Sequence, residues 1–369
     1  MDALTAKRYW IALTLIPNLS PRKFHILLEN FSSPQEIWEA PFSRLKEIPG
    51  FAESAQTFCA HRERADIDRA LEQIARLGLT VITLDDAQYP EPLRAIPDPP
   101  PVLYLRGEYV EKDKLAVALV GTRRATSYGK RVAQQFAGEL GRLGFTIVSG
   151  LAEGIDTAAH RGALKVNART IAVIGSGFAR LYPQSNQKLL EEIVSSGCAM
   201  TEFAPEVAPE QWTFPQRNRI ISGLSRGVLV VEAPEDSGAL ITARLALEHN
   251  REVFAVPGSI LGESHRGCHK LIKDGAKLVE SVTDILEEFK DLRALFTVRR
   301  DRPAPAPQKP MLSPLEEKIF SVLEFEPMHF DEIVSKTGLS VGEVSEGLLT
   351  LALQGIVQEL EGKHYVKLP

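Results

Sequence analysis

The sequence has few of the features that place a protein outside the cell or in a membrane. Its 369 residues include three cysteines, Cys59, Cys198 and Cys268, and no Cys-x-x-Cys pair. A disulfide framework is therefore not expected, and a reducing compartment fits. No apolar run reaches the ~18 residues of a membrane-spanning helix, and the N-terminus lacks the basic-then-apolar pattern of a secretion signal. We expect a cytoplasmic protein without a membrane contact.

An excess of positive charge is also missing. The chain has 43 lysines and arginines against 48 acidic residues, a net charge of −5. Any affinity for nucleic acid must therefore come from a local basic patch and not from the field of the whole protein. The hydrophobic content of 44% and the charged content of 25% are ordinary for a globular protein, and the length suffices for two or three domains.

The usual nucleotide-binding motifs are absent or incomplete. No Walker A lysine motif occurs, which argues against ATP hydrolysis. The turn from Gly175 to Gly177 begins as Gly-x-Gly, but Arg180 stands where a dinucleotide-binding turn needs its third glycine. The sequence thus disfavours a dehydrogenase, and we expect no cofactor.

Motifs for nucleophilic or metal chemistry are equally sparse. There is no Gly-x-Ser-x-Gly elbow. Ser149, Asp156 and His160 are close in sequence, but Asp156 and His160 are one helical turn apart, which is more typical of a cap or a local hydrogen bond than of a triad. A metal could use the spacing of His265, Cys268 and His269, but no second ligand pair accompanies them. We expect no metal and no catalytic residue.

What the sequence does contain is an alternation of short apolar strands with helical patterns. This alternation predicts a Rossmann-like, doubly wound and mainly parallel sheet with helices on both faces. The predicted strands are Ala116–Val120, Phe145–Ser149, Thr170–Ile174, Ala199–Phe203, Val228–Glu232, Glu252–Val256 and Lys277–Val279.

Glycine-containing turns follow three of these strands. Such turns can bind phosphate with backbone N–H groups at a helix N-terminus, and ligands of doubly wound sheets lie beyond the carboxyl ends of the strands. Three of these turns at one edge predict a long anion-binding rim. Its candidate residues are Gly121, Thr122, Arg123, Arg124 and Ser127 in the first turn, Ser149 and Gly150 in the second, and Ser237 and Gly238 in the third.

The segment from Gln211 to Arg226 adds two aromatic residues followed by three arginines. Aromatic platforms beside cations suit single-stranded nucleic acid, where bases stack on the rings. Pro215 and the polar neighbours favour an exposed loop. The other interpretation is that the aromatic residues are core and the arginines cap a helix. The candidate nucleic-acid-binding residues here are Phe214, Arg217, Asn218 and Arg219.

We expect four segments along the chain. Residues 1–78 read as helical, with two apolar-Pro-small-apolar turns, around Pro17 and Pro49, that fit either a helix-hairpin-helix element (a SAM-like DNA-binding domain) or a plain helical bundle. Residues 79–290 form the Rossmann-like domain. In its connector, 79–110, the prolines exclude a helix, and Val102–Leu105 is expected as an edge strand. Residues 291–312 are a proline-rich linker.

Residues 313–369 are expected to form a winged helix, because helix-turn-helix spacing is followed by a glycine-centred hairpin. This segment has four basic and ten acidic residues, and its predicted recognition helix has no lysine or arginine. A helix that enters the major groove is normally basic. The acidic composition therefore favours a protein-contact or regulatory role.

Taken together, the chain resembles the DNA-processing protein A family, also called DprA or Smf. The matching motifs occur in family order over residues 117–280: Val120-Gly121-Thr122-Arg123, Ser127-Tyr128-Gly129, Ser149–Asp156, Phe214–Ser225, Glu232-Ala233 with Ser237-Gly238, and Ala255–Gly258.

The resemblance implies a homodimeric, non-enzymatic protein that binds single-stranded DNA and loads the RecA recombinase during natural transformation. It places Gly121, Thr122 and Arg123 in the DNA pocket and, less securely, four residues of the aromatic-arginine segment: Phe214, Arg217, Asn218 and Arg219. Two alternatives remain. One is a phosphoribohydrolase-like enzyme, although the Pro257-Gly258-Ser259 turn lacks that group's second glycine. The other is a sensor of a small phosphorylated ligand that acts through the winged helix.

Overall fold

The computed structural model describes residues 3–291, 312–324, 327–360 and 362–367. The chain divides into two units, Met1–Ala294 and Leu295–Pro369, which are described separately. The predicted linker lies almost entirely outside the described residues.

The first unit begins with short helices, which confirms the helical prediction for the N-terminal segment. Side chains of Ser20, Ser33 and Asp66 cap three of them, and proline stands in the first turn of α3 and α4. The helices are α1 Ala3–Ala6, α2 Arg8–Thr14, α3 Pro21–Asn30, α4 Pro34–Glu39, α5 Phe42–Lys46, α6 Ala55–Arg62 and α7 Ile67–Arg76.

A nine-stranded sheet follows, in the order β1-β2-β6-β5-β4-β3-β7-β8-β9. The strands from β3 onward pair in parallel, and β2 pairs antiparallel with both β1 and β6. The predicted doubly wound sheet is confirmed. Its strands are β1 Thr80–Thr83, β2 Val102–Gly107, β3 Ala116–Val120, β4 Thr146–Ser149, β5 Thr170–Val173, β6 Cys198–Thr201, β7 Gly227–Val230, β8 Glu252–Ala255 and β9 Lys277–Leu278.

Helices alternate with these strands. They are α8 Glu91–Arg94, α9 Ser127–Arg142, α10 Ile155–Lys165, α11 Gln187–Ser196, α12 Thr213–Leu224, α13 Ala239–Glu248, α14 Arg266–Lys273 and α15 Val282–Glu288.

Two expectations for the connector 79–110 are wrong. The segment contains α8, because Pro92 lies in the first turn of that helix, where proline removes no helical hydrogen bond. The predicted edge strand, β2, lies inside the sheet because β1 covers its outer side.

The N-terminal helices and the sheet share one hydrophobic core. Phe24 and Phe51 belong to the same buried cluster as Val102 and Tyr104 of β2. The Tyr104 hydroxyl also lies 2.7 Å from the hydroxyl of Thr14 on α2. The helices are thus packed on the sheet through both apolar and polar contacts, and a domain boundary at residue 78 stays a prediction.

The second unit is a winged helix, as the sequence predicts. Its helices are α16 Pro314–Val322, α17 Phe330–Thr337 and α18 Val341–Leu353, and its strands are β10 Met328–His329, β11 Val357–Leu360 and β12 His364–Lys367, in the order β10-β12-β11. Gly338 has a φ of +64° in the turn between α17 and α18. Leu349 and Leu353, one turn apart on α18, are exposed. An acidic helix with exposed leucines favours a protein contact, which stays a prediction.

Within the described ranges, no helix is long and apolar enough to cross a membrane.

Close packing of α9 on α10 depends on one glycine. A Cβ built at Gly162 of α10 would lie 2.4 Å from the Gln134 carbonyl oxygen of α9. Gly162→Ala is therefore expected to lower the free energy of unfolding by ~1–3 kcal/mol, because the two backbones would have to separate. Gly138→Ala on α9 is the matched control: its nearest contact would be 3.5 Å. Urea denaturation of both variants measures the difference, and equal stability would contradict the packing argument.

Candidate nucleic-acid interface

The turns that follow β3 and β4 meet backbone to backbone at the carboxyl edge of the sheet. The Ile155 amide donates to the Thr122 carbonyl oxygen at 3.3 Å. A Cβ at Gly154 would lie 2.3 Å from that same oxygen, and Gly154 has a φ of +80°, which favours glycine. The first two predicted turns are thus brought together, with Arg123 and Arg124 exposed beside them.

The N-terminus of α9 is occupied by a carboxylate of the chain itself. Glu232, fully buried after β7, accepts hydrogen bonds from the Thr126 amide at 3.2 Å and from the Thr126 hydroxyl at 2.7 Å. A Cβ at Gly129 would lie 1.8 Å from Glu232 Oε2, so glycine is required there. Glu232 thus occupies part of the phosphate site predicted at this helix terminus, and a phosphate contact there stays a prediction.

Asp156, in the first turn of α10, binds the amides of the turn that precedes this helix. Asp156 Oδ2 accepts from the amides of Gly150 at 3.1 Å and Ala152 at 3.4 Å. Burial raises the pKa of Asp156, and the nearby Arg217 opposes that rise. Ser149 donates its hydroxyl proton to the Leu119 carbonyl oxygen at 2.6 Å. Ser149 and Gly150 therefore support the edge from within, and their contact with DNA stays a prediction.

No nucleophilic arrangement forms around Asp156. His160 Nδ1 lies 2.7 Å from the Thr170 hydroxyl, which itself donates to the Ile147 carbonyl oxygen, so the imidazole donates through Nδ1. Burial lowers the pKa of His160 to about 3. The side chain is therefore a neutral core histidine at physiological pH. In the described part of the chain, no group of three or more His, Cys, Asp or Glu side chains is placed to hold a metal.

The third turn is the most open of the three. The Ser237 hydroxyl accepts from the Ala239 amide at 3.3 Å, and the Gly238 carbonyl accepts from the Asn218 side-chain amide at 3.4 Å. A Cβ at Gly238 would meet nothing within 4 Å. Space for a ligand therefore exists next to Gly238.

The predicted aromatic-arginine loop is the helix α12, so the expectation of an exposed loop is wrong. Pro215 lies in the first helical turn, where it is tolerated, and thus did not indicate a loop. Arg217, Asn218 and Arg219 are all buried. Arg217 donates to the Val173 carbonyl oxygen at 2.7 Å, and Arg219 forms an ion pair with Glu202. Burial lowers the pKa of Arg217 to about 10.

Phe214 and Arg123, 91 positions apart in the chain, meet at the surface of this edge. The Arg123 guanidinium carbon lies 4.8 Å from the centre of the Phe214 ring and 6.0 Å from that of Tyr182. The two rings are edge to face at 5.9 Å. A Cβ at Gly175 would be 2.9 Å from the Phe214 ring, so this glycine makes room for it. The result is a surface cluster of one cation and two aromatic rings.

Sequence reasoning did not select Tyr182, Glu232 or Trp212 as site residues. Tyr182 precedes Pro183 in the turn after β5, and an exposed aromatic before a proline was the available signal. Glu232 stood within a family motif, but its capping of α9 depends on a contact between residues 106 positions apart. Trp212 was noted as an aromatic platform and is 52% exposed, the largest exposed fraction among the aromatic residues of the described ranges.

Two family models match this chain. A family model described as DNA recombination-mediator protein A matches residues 80–290, and one described as the DprA winged helix domain matches residues 303–363. The chain belongs to the DNA recombination-mediator protein A (DprA/Smf) family.

Individual members of this family are similar over most of the chain. Protein Smf of Synechocystis sp. is 35% identical over 98% of this chain and 99% of its own length. DNA processing protein DprA of Bacillus subtilis is 44% identical over 63% of this chain and 78% of its own. The X-ray structure of DprA from Streptococcus pneumoniae has 36% identity and a TM-score of 0.64, covering 76% of this chain and 97% of that one.

A second solved structure is DNA processing protein A from Helicobacter pylori, for which a single-stranded DNA binding mode is described. It is 30% identical with a TM-score of 0.51, and the match covers 62% of this chain and 99% of that one.

Glu232 provides a test of how the edge is built. Glu232→Gln keeps the shape of the side chain but replaces a charged acceptor at the α9 terminus with a neutral amide. We expect the free energy of unfolding to fall by ~1–3 kcal/mol, as for a lost hydrogen bond to a charged group. The exposed Glu235→Gln is the control for the same change of net charge. Equal stability of both variants in urea denaturation would show that the carboxylate is not required.

Proposed function

We propose that this chain binds single-stranded DNA along the carboxyl edge of its sheet and acts there as a recombination mediator without catalysing a reaction. The observation that carries the proposal is the cluster of Arg123, Phe214 and Tyr182. Aromatic rings accept stacked bases, and the guanidinium neutralises phosphate. The single-stranded DNA binding mode described for the Helicobacter pylori relative supports the same substrate class.

The capped helix termini argue against a small phosphorylated ligand. A mononucleotide site of a doubly wound sheet needs free amides at a helix N-terminus. Here the Thr126 and Gly150 amides are bonded to Glu232 and Asp156. A phosphate at the start of α9 would meet the negative charge of Glu232. An extended polymer that contacts exposed side chains avoids this repulsion.

The same residues weaken the case for a phosphoribohydrolase-like enzyme. Glu232 and Asp156, the carboxylates that bind the first two edge turns, are both buried and bonded to backbone amides. Neither is presented to a substrate. Release of free base from a nucleoside monophosphate would contradict the non-enzymatic proposal.

Three further properties rest on the family resemblance. They are loading of RecA onto incoming strands during natural transformation, assembly as a homodimer and a cytoplasmic location. Each is part of the proposed function.

The first experiment compares binding of a fluorescent oligo-dT strand with binding of its duplex form across a salt series. Preferential, salt-dependent binding of the single strand is expected. Tight mononucleotide binding without affinity for the strand would favour the small-ligand alternative.

Arg123→Ala is expected to weaken binding to strands of every sequence. Because one phosphate contact is lost, the slope of log affinity against log salt should become shallower by ~0.7, the single-strand value per phosphate. Arg161→Ala, an exposed arginine on α10, is the matched control. An unchanged slope in a folded Arg123→Ala protein would refute the role of this turn.

Phe214→Ala is expected to weaken binding through the loss of base stacking and not of a phosphate contact. Loss of a stacking ring costs ~1–3 kcal/mol per base and releases few counterions, so affinity should fall while the salt slope stays nearly constant. Phe42→Ala, which also removes a partly exposed ring, controls for general loss of aromatic surface. A large change of slope would instead assign this position an electrostatic role.

A further inference from the structure

A large cavity lies beside the proposed DNA edge, within the first unit. Its volume is about 820 Å³, and it opens between the N-terminal helices and the chain that follows β6. Ile16 to Ser20 and the first turns of α7 form one wall, and Glu202 to Val207 form the other. The Gln73 side-chain amide donates to Glu206 Oε1 at 2.7 Å and joins the two walls. The cavity thus forms where the N-terminal helices pack against the chain that follows β6.

The polar lining of this cavity is acidic. Asp66, Glu202, Glu206 and Glu210 line it, against Arg69 as the single lysine or arginine of the lining. Negative charge disfavours a phosphate group inside the cavity. A neutral group with hydrogen-bond donors fits better.

Glu202 supplies an unused acceptor in this lining. Its carboxylate is almost wholly buried, and Oε2 is paired with the Arg219 guanidinium. Its other oxygen, Oε1, makes no hydrogen bond of normal geometry among the described residues. Burial raises the pKa of this carboxyl, and Arg219 and the neighbouring Gln216 side chain oppose that rise. A buried carboxylate oxygen without a donor is unfavourable, because the group has lost its water. A donor from a ligand would satisfy it.

Trp212 stands at the rim of the cavity, at the start of α12. Its indole N–H donates to Glu210 at 2.6 Å, and the ring packs edge to face against Phe203 at 5.7 Å. Trp212 and Gln216 are one helical turn apart and both line the cavity. Phe214, between them in sequence, points to the other side, toward Arg123. The start of α12 therefore separates the cavity from the arginine-aromatic cluster.

We propose that this cavity receives unstacked bases of the bound strand and prefers bases with an exocyclic amino group, cytosine, adenine or guanine, over thymine. The proposal rests on the proposed single-strand binding. Trp212 offers a stacking surface at the entrance, and Glu202 Oε1 accepts from the amino group, as carboxylates do from cytosine. The volume accommodates one or two bases, while the sugar-phosphate chain stays outside the acidic lining.

The test compares an all-dT strand with the same strand carrying three central dC nucleotides. We expect the full-length protein to bind the dC-containing strand about fivefold more tightly, as one hydrogen bond to a charged acceptor allows. In the Glu202→Gln variant, the Arg219 guanidinium should donate to the oxygen of the new side-chain amide. The NH₂ group of that amide should then face the cavity. A donor there matches the thymine carbonyl, so the preference for dC should disappear or reverse.

Two further variants keep the test independent of the buried ion pair. Ala65→Phe places a ring in the cavity from a half-buried lining position, and Trp212→Ala removes the exposed entrance ring. Both should abolish the dC preference yet leave the salt slope of oligo-dT binding unchanged. Phe42→Ala, which does not line the cavity, should retain the preference.

The outcomes separate the two proposals. Binding of oligo-dT that depends on Arg123, without any preference for dC, would overturn the cavity assignment and leave single-strand binding intact. A dC preference that survives in both Glu202→Gln and Ala65→Phe would also overturn it. No binding of either strand would refute the proposed function itself.

Discussion

At the carboxyl edge of the sheet, the buried Glu232 carboxylate joins the end of β7 to the first turn of α9. It accepts both the amide and the hydroxyl of Thr126, and its own carbonyl oxygen accepts the Thr122 amide at 2.7 Å. A carboxylate without water is unfavourable unless such donors surround it. The end of β7 and the turn between β3 and α9 are therefore held in one arrangement, and the exposed Arg123 extends from a rigid base. Asp156 does the same for the neighbouring turn through the amides of Gly150 and Ala152.

These internal caps change what the doubly wound fold can bind. In many such folds the helix termini at the switch point of the sheet hold the phosphates of a nucleotide. Here the chain's own carboxylates take that place, and the outward groups are a guanidinium and aromatic rings. This set is poorly suited to enclose one phosphorylated molecule. It suits a strand that lies across the edge, where affinity is shared among several weak contacts.

The agreement between sequence and structure is closest for the strands. Each predicted strand of the parallel region lies within two residues of its observed bounds, because buried parallel strands are short apolar runs with turn residues at both ends. The prediction for α12 was wrong because its polar composition was taken as exposure. Asp156 and Glu202 lie next to Arg217 and Arg219 and partly offset the cost of burying these two cations. Asp156 belongs to α10 and Glu202 follows β6, so neither partner could be read from the segment itself.

The sequence by itself determined the parallel strands, the winged helix at the C-terminus and membership of the family, since buried strands are short apolar runs and the family motifs are local stretches of sequence. The tertiary structure alone decided which helix termini are closed, that Tyr182 joins Arg123 and Phe214, and that a cavity with an unpaired Glu202 oxygen lies beside Trp212. The physical reason is that hydrogen bonding and burial depend on partners far apart in sequence. The Thr126–Glu232 contact spans 106 positions, and the Gln73–Glu206 contact spans 133.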